Sequence, residues 1–213
     1  MAEKVCNIIG MGIGAIDAPW GNTNEKFYGI NNSYIYGKID RIYCMHVPEQ
    51  TLLSSLIPGR DKLSFRDAFK DNPAMEMVSI APYIFTYSST SQQYGYTDDV
   101  KNLEGHDMDI IVKAQQYPLI DAQMLAGCTD FTSSAPYIIA HCILEGFDRI
   151  RLYGFECWSN ISNHEYEFEV PCIERWMCRA RGRGIKGDTN FQMIPTLRDK
   201  QSLYGYEIGD EKA

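Results

Sequence analysis

The sequence predicts an α/β protein: a single domain on an open, mostly parallel sheet with helices on both faces. Three observations carry that expectation. Short apolar runs recur between turn residues and connecting segments, as central parallel strands do. In the last third a helix-patterned run, a strand-patterned run and a second helix-patterned run follow one another. Third, 45% hydrophobic and 23% charged residues over 213 positions is globular composition, which excludes a disordered or fibrous chain and allows a core without disulfide or metal staples.

The first strand is expected at Val5 to Ile9, with a glycine-rich turn from Gly10 to Gly14. A second at Lys26 to Ile30 runs into polar Asn31, Asn32 and Ser33, and a third at Arg41 to Met45 ends at His46. The middle, about 48–116, reads as a variable insertion within one domain spanning 1–213. It holds the apolar run Met75 to Pro82, a Ser- and Tyr-rich stretch (TYSSTSQQYGYTDD) read as a surface loop, and a moderately helical Met108 to Gln116. Thr132, Ser133 and Ser134 then precede Pro136 and the apolar run Tyr137 to Leu144, which stops at Gly146: hydroxyl caps, an early proline and a terminal glycine mark a helix. Arg149 to Phe155 alternates as a strand. Pro171 is expected to open a helix carrying Ile173, Trp176, Met177 and Ala180 on one face, and a strand near Asn190 to Ile194 closes the sheet.

Charge and cysteine content narrow the function classes. A net charge of -8 argues against a dedicated binder of duplex DNA. Seven cysteines without a C-x-x-C pair fit a reduced cytoplasm, and no apolar stretch is long enough for a membrane span. The segment SLYGYEIGDEKA reads as a surface or oligomer-contact tail, which admits a homo-oligomer.

Gly10-Met11-Gly12-Ile13-Gly14-Ala15 can be read as G-x-G-x-x-A after a strand, a form in which the backbone approaches a phosphate closely. The competing reading is a tight strand-exit turn that holds no ligand. NAD is disfavoured, because the second strand ends in Asn31 and Asn32 where a ribose-binding carboxylate belongs. Those two amides suit a base edge, ribose or sugar; asparagines also simply form turns and caps. His46, at a strand end, falls on the same ligand edge as Gly12 and Asn31. After Arg149 to Phe155 come Glu156 and a loop holding Asn160, Asn163 and His164. His164 with the Glu156 carboxylate is the candidate general base for a hydroxyl nucleophile, against the reading that a polar loop is only a loop. No metal site is expected, since His164, Glu165 and Glu167 lack a second histidine at zinc spacing. His141 reads as a packed or surface histidine.

Together the glycine turn, FYGINNSY and TSSAPYIIAHCILEGFDRIRLYGFE resemble the sialyltransferase-like Rossmann group, which includes bacterial sialyltransferases and 6-hydroxymethylpterin diphosphokinase-like proteins. YEFEVPCIERW is also similar to uncharacterised bacteriophage proteins of that type. The resemblance covers roughly 5–46 and 128–186. It implies a Rossmann-like sheet, a nucleotide held by Gly10, Gly12 and Asn31, helix-start hydroxyls at Thr132, Ser133 and Ser134, and a histidine base in a late loop; Gly14 joins the nucleotide set from the glycine turn itself. This turn lacks the family's usual G-x-G-P-S. Two functions follow as expectations: a transferase that passes a glycosyl or diphosphate group from a nucleotide or nucleotide sugar to an acceptor hydroxyl, or a non-catalytic phage accessory protein that captures a nucleotide. Either would work in the cytoplasm, that of the host cell if phage-encoded.

Overall fold

The structure, a computed structural model, describes residues 2–45, 65–88, 93–97, 99, 101, 110–126, 131–155 and 165–189. In chain order its elements are β1 (Val5–Ile9), β2 (Lys26–Ile30), β3 (Arg41–Cys44), α1 (Phe65–Asp71), β4 (Glu76–Ser79), β5 (Ile84–Ser88), β6 (Gln93–Thr97), β7 (Ile110–Lys113) and β8 (Gln115–Gln116). There follow α2 (Leu119–Ala126), α3 (Ser134–Leu144), β9 (Arg149–Tyr153), α4 (Glu165–Gly182) and β10 (Lys186–Thr189), and 3₁₀ turns occupy Ile13–Asp17 and Ser33–Ile35. Seven strands form a sheet of order β10-β9-β1-β2-β3-β4-β8 in which every pairing is parallel. It is the open α/β sheet the sequence predicts.

The strands read as near-continuous apolar runs where the sheet is covered on both faces, interrupted in β1 by the buried Asn7. All five residues of β1 are buried. Cys6, Ile8, Ile150 and Leu152 meet α2, α3 and α4 on one face, with Ile138, Ile139, Ile173 and the fully buried Trp176 between them. On the other face Ile9, Ile42 and Met77 pack with Ala68 and Phe69 of α1 and with Ala15 and Tyr34 of the 3₁₀ turns. β9 alternates instead, because Arg149, Arg151 and Tyr153 stand on a face with less cover.

Four details differ from the sequence-based expectation. Part of the stretch expected as a surface loop forms β5 and β6, an antiparallel pair in a second sheet of order β6-β5-β7. Met108 to Gln116 is strand, not helix, where described: β7 completes that sheet and β8 edges the main one. α4 starts at Glu165 and carries Pro171 inside it; proline's fixed φ suits a helix and its cost is one missing backbone hydrogen bond with local strain. The closing strand is Lys186–Thr189, a polar edge strand, while residues 190–194 lie outside the described residues. Cys6, Cys44, Cys142, Cys172 and Cys178 are free thiols, and no described helix is long and apolar enough to cross a membrane.

Candidate functional site

Because all seven strands run the same way, their carboxyl ends form one edge. The strand order reverses there between β1, which continues to β2, and β9, which continues to β10. Such a reversal is where open α/β sheets hold ligands, because the flanking connections leave on opposite faces and open a crevice. In this protein the crevice floor is stitched shut by backbone. Gly10 N–H donates to Tyr153 O at 2.7 Å and Gly12 N–H to Gly154 O at 2.8 Å. A Cβ on Gly10 would lie 2.2 Å from Gly154 O, and Gly154 itself takes φ +73°. These glycines therefore let the two strand exits touch. The amides of Gly10 and Gly12 are engaged by β9, which leaves them unable to cradle a phosphate in this conformation. Gly14 lies inside the first 3₁₀ turn, whose Ile13 and Ile16 are exposed.

Next along the edge, Asn31 adopts φ +46°, a left-handed conformation that asparagine tolerates, and its N–H donates to Tyr43 O at 3.2 Å. Asn32 instead uses its side chain, whose Oδ1 accepts the Tyr34 hydroxyl at 3.3 Å at the start of the second 3₁₀ turn. Tyr36 OH then donates to Met11 O at 2.9 Å, so the exits of β1 and β2 form one continuous surface.

α3 contributes from the same edge, because it ends just before β9 begins and runs back across the sheet, which leaves its amino terminus at the carboxyl ends of the strands. Ser133 is its N-cap with extended backbone, yet its hydroxyl makes no capping bond, and Oγ is buried without a hydrogen-bond partner among the described residues. Ser134 begins the helix and Thr132 is exposed beside it. The helix's leading N–H groups and dipole favour an anion here. An aromatic wall stands next to them: Phe131 stacks on Tyr137 at 4.4 Å, and Tyr117 OH donates to Tyr137 O at 2.9 Å. Among the described contacts, none joins Ser133 or Ser134 to the glycine turn. His46, Glu156 and His164 lie outside the described residues, although the chain enters 156–164 from the carboxyl end of β9. Among the described residues no group of three or more His, Cys, Asp or Glu side chains could hold a metal ion.

Sequence reasoning missed a polar network beneath α3, toward the amino ends of β2 and β3. Arg41 Nη1 donates to Glu145 Oε1 at 2.7 Å and Arg41 Nε to Glu76 Oε2 at 2.5 Å, while its guanidinium lies over the Tyr28 ring at 4.7 Å. Tyr28 OH donates to Glu145 Oε2 at 2.8 Å. Arg41 also bonds Tyr43, whose hydroxyl shares a hydrogen bond of 2.7 Å with His141 Nδ1, the donor being set by the imidazole tautomer; His141 Nε2 is 3.9 Å from Glu145. Burial pushes the Glu145 carboxyl up, but the bonds from Arg41 and Tyr28 and the Arg41 charge outweigh it and hold it below the usual carboxylate range. Burial also keeps His141 below the ordinary imidazole value, and drives the Tyr28 and Tyr43 phenols upward. The available signal was the i, i+2 spacing of Arg41 and Tyr43, which puts both on one face of β3. His141 is packed, as expected. On the opposite face Asn7 Nδ2 donates to Glu25, which also pairs with Arg151 at 3.0 Å.

A scan against protein-family models finds no match to this chain, and neither the curated proteins nor the solved structures contain a significant one.

Proposed function

We propose that the chain binds a nucleotide or nucleotide sugar at the carboxyl edge and transfers its glycosyl or diphosphate group to an acceptor hydroxyl. The observation that supports this most is the amino terminus of α3: an N-cap serine with a buried, unpartnered Oγ, at the edge where the strand order reverses. With Gly10 and Gly12 turned to β9, the anion-holding role passes from the glycine turn to the α3 amides and the hydroxyls of Ser133 and Ser134. A chain of net charge -8 repels anions at long range, so short-range donors of this kind are what a phosphate needs. Asn31 offers its amide to the base or sugar. The base is assigned to His164 with Glu156, from their residue types alone: the imidazole takes the proton of the acceptor hydroxyl as its oxygen bonds to the transferred group and the nucleotide phosphate leaves. In this reading the protein is a sialyltransferase-like, phage-type enzyme of the cytoplasm that needs no duplex nucleic acid partner.

A panel of nucleoside mono-, di- and triphosphates and nucleotide sugars, read by thermal shift and then by product analysis, tests the proposal. Ligands should raise Tm, and His164→Ala should lower turnover by about 10²- to 10⁴-fold while binding survives. Unchanged turnover removes His164 from the role. Binding without any product leaves the capture function in place of the transferase, and no binding at all defeats both.

A further inference from the structure

The small sheet leaves an edge that the nucleotide reading does not use. β7 pairs only with β5 among the described strands. Ala114 N–H donates to Tyr83 O at 2.7 Å, which continues the register of Lys113 opposite Ile84. Hydrogen-bonded pairs alternate along an antiparallel ladder, so Val112 and Ala114 address β5 while the N–H and C=O of Ile111 and Lys113 point away from it. Across from them is β4. Its pairing with β8 covers only Val78 and Ser79, so on that side its amino-terminal half has no strand beside it among the described residues. Between these two diverging strands runs a groove of about 550 Å³.

Its lining indicates the occupant. Exposed Pro73 and Ala74, with the edges of the buried Phe69 and Met75, supply apolar surface, and Lys70, Lys113 and Glu76 supply charge. Glu76 is taken by Arg41, whereas Lys70 and Lys113 form no ion pair among the described residues. The groove is thus cationic on a chain that is acidic as a whole. An apolar anion such as a fatty acid would satisfy the lysines but leave the outward backbone groups of β7 unmatched; a peptide strand satisfies both.

We infer that this groove docks an extended acidic peptide of a partner protein, which adds as a strand to the outer edge of β7. The peptide's main chain pairs with Ile111 and Lys113, its carboxylates meet Lys70 and Lys113, and its intervening apolar side chains lie against Pro73, Ala74 and the edges of Phe69 and Met75. Electrostatic complementarity selects the partner, and backbone pairing fixes its register.

The test uses the full chain and three labelled octapeptides read by fluorescence anisotropy: alternating Glu-Val, alternating Lys-Val, and Glu-Val with alternate backbone nitrogens methylated. The Glu-Val peptide should bind saturably, and Lys113→Glu, Ile111→Pro or backbone methylation should each weaken it by about tenfold or more. Should Ile111→Pro fail to fold, Lys113→Glu and the methylated peptide carry the test. Equal binding of the Lys-Val peptide, indifference to methylation, or no saturable binding of the Glu-Val peptide overturns the inference. So does saturable binding of dodecanoate that displaces a methylation-insensitive peptide, which would make this a lipid site, or self-association abolished by Lys113→Glu without peptide binding, which would make it a contact between copies.

Discussion

The lower part of the sheet, near the amino ends of its strands, and its carboxyl edge are built on opposite plans. Below, the groups around Arg41 are matched: Arg41 has two carboxylates, Glu145 has Arg41 and Tyr28, and Lys4 Nζ closes on Glu145 O at 2.6 Å. Farther along, Arg149 pairs with both Glu3 and Asp188, and Lys186 with Glu3. The carboxyl edge carries exposed Ile13 and Ile16, a left-handed Asn31 and a serine hydroxyl without a partner. Saturated polar groups hold a structure, whereas unmatched ones at a helix start are what a ligand completes. On the function proposed above, one end of the strands holds the fold and the other takes the ligand.

That division can be broken by mutation. The largest effect should come from Glu145→Ala, which strips Arg41 of its more buried partner and leaves Tyr28 OH unmatched; a loss of about 3 kcal/mol is expected in urea unfolding, because one buried charge is left partly uncompensated. Gly10→Ala should cost about 2 kcal/mol, since its Cβ meets Gly154 backbone rather than a movable side chain. That would show the carboxyl edge to hold one structural seam of its own; a loss below about 0.5 kcal/mol would mean that the two exits separate easily.

Acid should act on the polar network first. The folded-state pKa of His141 is below its ordinary value of 6.5, so the unfolded chain takes up the proton first and stability falls as pH drops below about 6.5. Glu145 is also depressed: its contribution is complete above the ordinary carboxylate value and is lost as pH falls through the lower folded value. Both push the same way. Tm measured from pH 7 to 4 should decline, and His141→Gln should flatten the upper part of that decline; an unchanged profile would remove His141 from it. The smallest stability effect belongs to Ser133→Ala, under about 0.5 kcal/mol because no capping bond is lost, together with about tenfold weaker nucleotide binding. A larger stability loss without change in binding would move Ser133 to the structural group.

Much of the fold was legible because buried parallel strands are near-continuous apolar runs: VCNII, the start of RIYCMH and the Tyr137 to Leu144 helix pattern needed no tertiary knowledge. β6 and β10 were not legible. QYGYT and KGDT are polar edge strands, held by their neighbours rather than by an apolar pattern of their own. The start of α4 was hidden because a proline six residues into a helix looks like its beginning. At the site, the sequence exposed the glycine turn but not its use. Whether Gly10 approaches a phosphate or Gly154 depends on a strand far along the chain. The Arg41, Tyr43 and His141 cluster was invisible for the same reason, since it joins elements distant in sequence.

The pairing of β1 with β9 also has a consequence for synthesis on the ribosome. Val5 can find its partner only after Arg149 has been made. At ordinary elongation rates that interval is roughly 7 to 30 seconds. Throughout it, one long edge of the central strand has none of its final partner. Whatever shields that edge while the chain grows, whether transient non-native contacts or a chaperone, sets how much of the newly made protein escapes aggregation.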